Sequence, residues 1–403
     1  MKNLAVLGII ISCLILFTYD SPGQINWKKK LQKQADKTVD KGIEEAEKEA
    51  YGKEKKTSYK VDGKEQQAAN DAEAPSDENV GLNQEEEQLR AYSKYNFVPG
   101  DVVIFEDNLM GEENGEFPSK WDLKEGNVEI AKYGNDYVIN FPTTSWATIV
   151  PLMAETGDYL PEKFTIEFDA YFSEFCTKYI ISFYDIVNQT DQGFPEAKIT
   201  PQHVYVDGYG SSNIETARDA YPFWQRIAIS FNIRSLKVYF GEQRTTNIPN
   251  IKAEPTGITI KSGQCHAGEQ SMIKNIRIAK GSTKLYDRVV TDGKFVTNGI
   301  RFDVGKASIR PESMGVINQI YKMMEEYPEL RFSVEGHTDS DGNEESNLIL
   351  SAERASSVVA KLSAMGIAAD RFESKGFGEG NPIDTNNTPE GKANNRRVEF
   401  IKI

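Results

Sequence analysis

One stretch in the middle of the chain restricts the possible folds more than any other, because apolar and polar residues alternate strictly over residues 164–172. The apolar set is Phe164, Ile166, Phe168, Ala170 and Phe172, and the set between them is Thr165, Glu167, Asp169 and Tyr171. Successive side chains of a strand point to opposite faces of a sheet. This period of two therefore predicts a half-buried strand of an antiparallel sheet, with one apolar face inside and one polar face outside.

The same alternation returns at residues 227–231 and 236–240, on either side of a short turn, which indicates a hairpin. Further short runs of aromatic and β-branched residues lie between Gly, Pro, Asn and Asp turns. They occupy residues 102–105, 137–141, 179–183, 203–209 and 273–278. Many strands without a long helical pattern predict an antiparallel, jelly-roll-like β-sandwich domain at residues 97–285.

The segment 224–244 resembles a stretch of laminin-G and concanavalin-like sandwiches, in which a strand led by a Trp turns into a second strand that ends before a glycine. The resemblance covers two strands and transfers no site residue. It implies a sugar or calcium ligand as one option, and a structural or protein-binding role as the other.

The N-terminus is typical of a secretory signal peptide, predicted to cover residues 1–23. Lys2 provides a basic start, residues 4–17 are almost entirely apolar, and Ser21-Pro22-Gly23 offers small residues for cleavage. An uncleaved anchor helix and a lipoprotein acylated at Cys13 are the alternatives. The residues after Cys13 are apolar, whereas mature lipoproteins usually begin with a polar segment.

Residues 24–95 form a polar, charged linker that is predicted to be disordered or partly helical, because they contain too few branched apolar residues to bury a core. The segment is either a solvated linker or a tether whose Lys-rich half lies near an anionic surface. The whole chain has 47 Lys and Arg against 61 Asp and Glu, a formal net charge of −14. This acidic balance disfavours nucleic-acid binding, which needs a basic face.

Export would leave Cys176 and Cys265 in an oxidising compartment, where they could form a disulfide or remain two buried thiols. The chain has three His and three Cys without a dense cluster, and this disfavours a structural zinc site. The sequence therefore predicts no metal and no cofactor.

After residue 286 the apolar pattern takes a helical period. Two helices are predicted at residues 312–327 and 347–365. Strands are predicted at residues 299–302, 331–336, 371–375 and 398–401. The order strand, helix, strand, helix, strand, strand predicts an α+β layered domain.

Four spaced motifs give residues 288–403 a close resemblance to the OmpA-like peptidoglycan-binding domain. They are GHTD at 336–339, NLILSAERASSV at 347–358, GFG at 376–378 and NRRVE at 395–399. The resemblance implies an α+β fold that binds the diaminopimelate of the cell-wall stem peptide without covalent chemistry. The protein is therefore expected not to be an enzyme.

In that family an Asp and an Arg grip the free amino-acid end of diaminopimelate, and these positions fall on Asp339 and Arg354. The chemistry suits the ligand, because a zwitterion needs an acceptor for its ammonium and a forked donor for its carboxylate. Without the family pattern, an internal salt bridge between Asp339 and Arg354 is the alternative interpretation.

The resemblance also implies ligand contacts from Asn347 and from the loop at Gly305 and Lys306, where the backbone would take part. Asp341 stands where the family often contacts the ligand through a hydroxyl, so the sequence departs from the pattern there. Arg396 and Arg397 either face the ligand or form salt bridges at a strand end.

Together these features predict an exported protein of the outer membrane or periplasm that ties the membrane or an envelope partner to peptidoglycan. The first alternative is a glycan-binding protein whose sandwich is the main binding module and whose C-terminal domain only localises it. The second is a wall hydrolase with the sandwich as catalytic module. It is disfavoured because that region offers only His203 and His266 and no paired carboxylates.

Overall fold

The computed structural model describes residues 95–403, apart from 143, 155–156, 175–177, 185–194, 215–220, 264, 267 and 282–284. The predicted signal peptide, the linker up to residue 94 and Cys176 thus lie outside the described residues. The described residues all belong to one compact unit, which includes both predicted folded domains.

The middle of the chain consists mostly of antiparallel strands, and the strands described there are called the β-region. They are β1 (Val102–Asp107), β2 (Trp121–Glu125), β3 (Glu129–Tyr133), β4 (Asp136–Phe141), β5 (Trp146–Pro151), β6 (Lys163–Phe172), β7 (Tyr179–Tyr184), β8 (Glu196–Ile199), β9 (His203–Val206), β10 (Gly210–Asn213), β11 (Phe223–Asn232), β12 (Ser235–Phe240), β13 (Gln243–Ile248), β14 (Gly257–Gly263) and β15 (Ser271–Lys280).

These strands form two sheets. One has the order β13-β12-β11-β6-β15-β4-β3, with β1 also paired to β15, and the other has the order β10-β9-β8-β7-β14-β5-β2. Apolar side chains from both sheets share one buried core. Across it, Phe168 of β6 and Tyr179 of β7 have ring centroids 6.3 Å apart. The prediction of a mostly antiparallel β structure is confirmed, and its jelly-roll-like class stays a prediction.

The apolar face of β6 lies in this core as predicted, but its polar face is also shielded from water. Thr165 and Glu167 are only 1% and 2% exposed. Arg301, from the C-terminal part of the chain, donates to the Glu167 carboxylate at 2.6 Å. The expectation of a solvent-facing side is therefore wrong for these residues, because another part of the protein covers them.

The remaining elements form the C-terminal domain. They are α1 (Leu285–Asp292), β16 (Lys294–Thr297), α2 (Met314–Glu326), β17 (Phe332–Gly336), α3 (Glu344–Ala364), β18 (Phe372–Gly376), α4 (Pro389–Asn395) and β19 (Val398–Lys402). The sheet order is β16-β19-β17-β18. Only the β17–β18 pair is parallel among these neighbours. Phe295, Phe332 and Phe400 are fully buried between this sheet and the helices.

Two details of the C-terminal domain differ from the sequence prediction. The first strand is β16 rather than residues 299–302, where the structure has only an isolated bridge between Phe302 and Ile309. The helix α4 was not predicted, since seven residues are too few to show a helical period. Its start does carry a signal, because the Thr388 hydroxyl accepts from the Gly391 N–H.

Residues 95–100, which we call the strap, run directly before β1 and contact both parts of the compact unit. The Gly100 N–H donates to the Thr165 hydroxyl of β6 at 2.9 Å. On the other side, a Cβ added at Gly315 of α2 would lie 1.7 Å from the Phe97 carbonyl oxygen. Only glycine allows this approach, so the strap fits closely against α2.

Among the described helices, none is both long and apolar enough to span a membrane. The described residues also contain no group of three or more His, Cys, Asp or Glu side chains placed to hold a metal ion.

Candidate functional site

Two glycines of the GHTD and GFG motifs allow α3 to lie directly against the sheet. A Cβ at Gly336 would come within 2.2 Å of the Ser351 carbonyl oxygen, and one at Gly376 within 2.3 Å of the Ala352 nitrogen. Neither position accepts a side chain without displacing the helix backbone. The close packing brings the loop after β17, which contains Asp339, beside the N-terminal half of α3.

This loop is fixed at the start of α3 by two Asn side chains. The Asn343 side chain caps the helix by accepting from the backbone N–H of Glu345 at 3.0 Å. The Asn347 amide is buried and donates to the Asp341 carbonyl at 3.1 Å and to the Glu379 carboxylate at 2.6 Å. Asn347, predicted to contact the ligand, thus binds the loop that carries Asp339, and a ligand contact stays a prediction.

Asp339 is 7% exposed and forms an ion pair with Arg396, whose Nη1 lies 2.5 Å from its Oδ2. Its other oxygen accepts from the Asp341 N–H at 3.2 Å. Among the alternatives that the sequence left open, the internal salt bridge of Asp339 is therefore formed with Arg396 and not with Arg354.

Arg354 is half-buried on α3 and is held by backbone carbonyls rather than by a carboxylate. Its Nε donates to the Lys306 oxygen at 3.0 Å and its Nη2 to the Asp303 oxygen at 3.3 Å. Its guanidinium carbon lies 5.0 Å from the centroid of the Phe302 ring. Burial lowers the pKa of Arg354, while the charge of Asp339 opposes this shift. Within the described part of the chain, the hydrogen bonds of Arg354 go to backbone carbonyls, and it forms no ion pair.

The loop at Gly305 and Lys306 lies where the sequence predicted it, next to Arg354. Gly305 has φ +68°, and the Lys306 N–H donates to the Asp303 carbonyl at 3.0 Å, which closes a tight turn. Asp341 is more exposed and accepts from the Lys392 ammonium at 2.6 Å. The structure thus groups the predicted residues around one loop cluster, while their roles toward a ligand stay predictions.

His337 is a buried packing residue of this cluster. Its ring stacks on Phe377 with centroids 5.4 Å apart. Burial, and then the charge of Arg397, lower its pKa to about 4. The ring is therefore neutral at pH 7, and its 3.7 Å contact with Glu399 is not an ion pair at that pH.

The β-region also reaches the site, through a residue that sequence reasoning missed. Glu106 of β1 lies opposite Arg277 of β15, which binds it through Nε at 2.5 Å and Nη2 at 2.8 Å. The same carboxylate is 3.7 Å from Nη2 of Arg396, the partner of Asp339. Glu106 belongs to none of the motifs and is far from them in sequence, so no local signal could have identified it.

Cys265 is disulfide-bonded, whereas Cys176, its predicted partner, lies outside the described residues. The predicted pairing of the two therefore stays a prediction.

Comparison with known proteins places residues 301–396 in the OmpA family. The probable lipoprotein YiaD of Escherichia coli (strain K12) is 40% identical over 103 residues, which cover 26% of this chain and 47% of the relative. The peptidoglycan-binding protein ArfA of Mycobacterium tuberculosis (strain ATCC 25618 / H37Rv) is 41% identical over 107 residues, which cover 26% of this chain and 33% of the relative.

Among solved structures, the peptidoglycan-associated lipoprotein from Burkholderia pseudomallei is 25% identical, with 26% of this chain and 88% of that chain covered and a TM-score of 0.25. The chain spans less than half the length of the two curated relatives. The resemblance predicted from the four motifs is confirmed: the chain carries an OmpA family domain at its C-terminus.

Proposed function

We propose that the OmpA family domain at residues 301–396 binds peptidoglycan without covalent chemistry and thereby fastens an envelope component to the cell wall. The observation that carries this proposal is the half-buried Arg354 guanidinium, which among the described residues has no carboxylate partner although the Asp339 carboxylate is near enough to influence its pKa. A partly desolvated cation gains most from an incoming anion, because burial has already removed part of its hydration.

The free end of diaminopimelate matches this pair of charges. Its carboxylate would bind the Arg354 guanidinium, which retains N–H groups beyond the two that donate to Lys306 and Asp303. Its ammonium would bind Asp339. A carboxylate has about four lone-pair sites, so Asp339 can hold Arg396 and still accept from a ligand. Lys306 and Gly305 would then border the ligand through the turn that holds Arg354 in place.

The proposed location is the outer membrane or periplasm. It is supported by the predicted signal peptide and by the names of the two relatives, which refer to a lipoprotein and to peptidoglycan binding. The proposal includes no reaction, since binding needs only the charges and hydrogen bonds described above.

The test is co-sedimentation of the full chain with purified sacculi. Asp339→Ala and Arg354→Ala should each weaken binding by roughly tenfold or more, since each removes a charge-assisted contact of about 1.5–3 kcal/mol. Arg354→Lys should recover part of the binding, because it keeps the charge and loses the fork. Arg331→Ala is the matched control, since Arg331 is an exposed Arg of the same domain that donates to the Asp370 carbonyl.

Circular dichroism must show that the variants remain folded. If both alanine variants sediment with sacculi as the wild type does, the proposed function is wrong. The proposed function is also wrong if Arg331→Ala weakens binding as much as Arg354→Ala does.

A second candidate function, glycan binding by the β-region, is favoured by one observation. A cleft of about 250 Å³ is lined by Tyr171, Ser173, Glu174, Tyr221, Pro222, Gly268, Glu269 and Gln270. Within this lining Tyr171 is buried and packs edge-on against Trp224 and Tyr133, at 5.3 Å from each, whereas Tyr221 is partly exposed. A partly exposed aromatic ring beside carboxylates and amides suits a sugar, which offers both C–H faces and hydroxyls. The test is binding of the full chain to wall glycan whose stem peptides an amidase has removed. Retained binding would favour glycan binding by the β-region, and lost binding would favour stem-peptide binding by the OmpA family domain.

A further inference from the structure

The β-region contributes a charged side chain to the proposed wall-binding site. Arg396 lies between two carboxylates, with Nη1 at 2.5 Å from Asp339 Oδ2 and Nη2 at 3.7 Å from Glu106 Oε1. One carboxylate belongs to the C-terminal domain and the other to β1. The orientation of the Arg396 fork therefore depends on both parts of the compact unit.

Glu106 is a fixed point in this arrangement. It is 9% exposed, and Arg277 grips both of its oxygens from the neighbouring strand. Burial alone would raise the pKa of Glu106, but the charges of Arg277 and Arg396 outweigh burial and hold it below the ordinary value. The side chain is thus a rigid anion at neutral pH.

The backbone on both sides of this contact is also joined. The Val103 N–H donates to the Asn394 amide oxygen at 2.8 Å, and the Asn394 amide donates back to the Val103 carbonyl at 3.2 Å. The Glu106 N–H donates to the Glu390 carboxylate at 3.0 Å. Asn394 and Glu390 lie on α4, which ends one residue before Arg396. The helix that leads into Arg396 is therefore attached to the strand that carries Glu106.

We infer that Glu106 is a positioning residue of the peptidoglycan site, which acts by drawing one arm of Arg396 away from Asp339. This inference rests on the proposed function. If residue 106 were neutral, both arms of Arg396 would turn to the Asp339 carboxylate and cover the lone pairs that the ligand ammonium needs. The β-region then sets the affinity of a site whose ligand it does not touch.

The experiment measures the dissociation constant of the full chain for a soluble muropeptide with a free diaminopimelate end. Glu106→Gln should raise it roughly threefold to tenfold, the equivalent of one hydrogen bond. Glu125→Gln is the matched control. Glu125 is a carboxylate of β2 that is ion-paired within the β-region, to Lys261 of β14 at 2.9 Å, and its variant should bind as the wild type does.

A double-mutant cycle separates positioning from general stabilisation. If Glu106 acts through Arg396, then Glu106→Gln should change the dissociation constant less than about twofold in an Arg396→Gln background. Additive effects of the two substitutions would overturn the inference, and so would unchanged binding by folded Glu106→Gln or equal losses in the Glu125→Gln control.

Asp339→Ala distinguishes a failure of the positioning role of Glu106 from a failure of the proposed peptidoglycan binding. If Asp339→Ala weakens binding and Glu106→Gln does not, only the role of Glu106 is wrong. If Asp339→Ala and Arg354→Ala both bind normally, the proposed function fails and the positioning role fails with it.

Discussion

The two faces of β6 are removed from water by different means. On one face, Phe164, Ile166 and Phe168 pack into the core between the two sheets of the β-region. On the other, Glu167 is bound by Arg226 of β11 at 3.1 Å and by Arg301 of the C-terminal domain at 2.6 Å. This difference shows that an alternation of apolar and polar residues along a strand indicates whether each face has apolar or polar neighbours. It does not indicate whether the polar face is exposed to solvent.

The two faces should also differ in what they contribute. Apolar burial stabilises in proportion to the area removed from water and depends little on direction. A buried ion pair nearly cancels its own desolvation cost, but it requires particular partners at particular distances. We therefore expect the apolar face of β6 to provide more stability and the polar face to define how the C-terminal domain docks.

The largest expected effect tests the apolar face. Phe168→Ala removes a fully buried ring from the core and should lower the free energy of unfolding by about 3–5 kcal/mol. Urea denaturation of the full chain measures this loss. Phe168→Leu, which leaves a smaller void, should lose clearly less. A loss below about 1 kcal/mol for the alanine variant would mean that the core does not carry the stability assigned to it.

A smaller effect is expected on the polar face. Glu167→Gln leaves Arg226 and Arg301 without their shared anion, and it should cost about 1–3 kcal/mol at pH 7. Burial alone would raise the pKa of Glu167, but Arg301 and Arg226 outweigh it and lower the pKa to about 2 from 4.5. The stability that ionised Glu167 provides is present above pH 4.5 and is lost as the pH falls toward 2.

The difference in unfolding free energy between wild type and Glu167→Gln should therefore shrink over that pH range. Glu113→Gln, at an exposed loop position, is the control and should differ little from wild type at any pH. A difference that stays constant down to pH 2 would show that the charge of Glu167 is not what binds the two parts together.

The effect expected to be smallest at pH 7 concerns a polar ring that is buried without a charge. Because the pKa of folded His337 is about 4 and the ordinary value is 6.5, the unfolded chain takes up a proton first as the pH falls. The free energy of unfolding should then decrease from pH 6.5 toward pH 4. In His337→Gln this decrease should be shallower, as denaturation at a series of pH values would show. Parallel curves for both proteins would exclude a contribution from His337.

The elements that the sequence revealed are those with a period long enough to detect. The alternation in β6, β11 and β12 predicted strands, and the helical period predicted α2 and α3 close to their observed bounds. The short helix α4 could not be predicted, because the only helix signal in its seven residues is the cap at its start. The burial of Glu167 could not be predicted either, because it depends on Arg301, which no local pattern links to β6.

The candidate site also has one part that the local sequence predicted and one part that depends on a distant contact. Its loop cluster around Asp339 and Arg354 follows from motifs that lie on adjacent elements of one domain. The contribution of Glu106 depends on a contact between a strand near the start of the β-region and a residue near the C-terminus. Such a contact is set by how two folded parts dock, and no periodicity or short motif encodes it.

The strap determines whether the C-terminal domain can be separated from the rest of the chain. Chain order puts the strap before the β-region, yet its Phe97 backbone fills the notch that Gly315 leaves in α2, and its Tyr95 carbonyl accepts from Asn318 of the same helix at 3.0 Å. A complete C-terminal domain thus includes residues from upstream of the β-region. The C-terminal domain of this chain is therefore not a self-contained module. A fragment that begins at residue 288 would lack the strap and would expose the part of α2 that the strap covers.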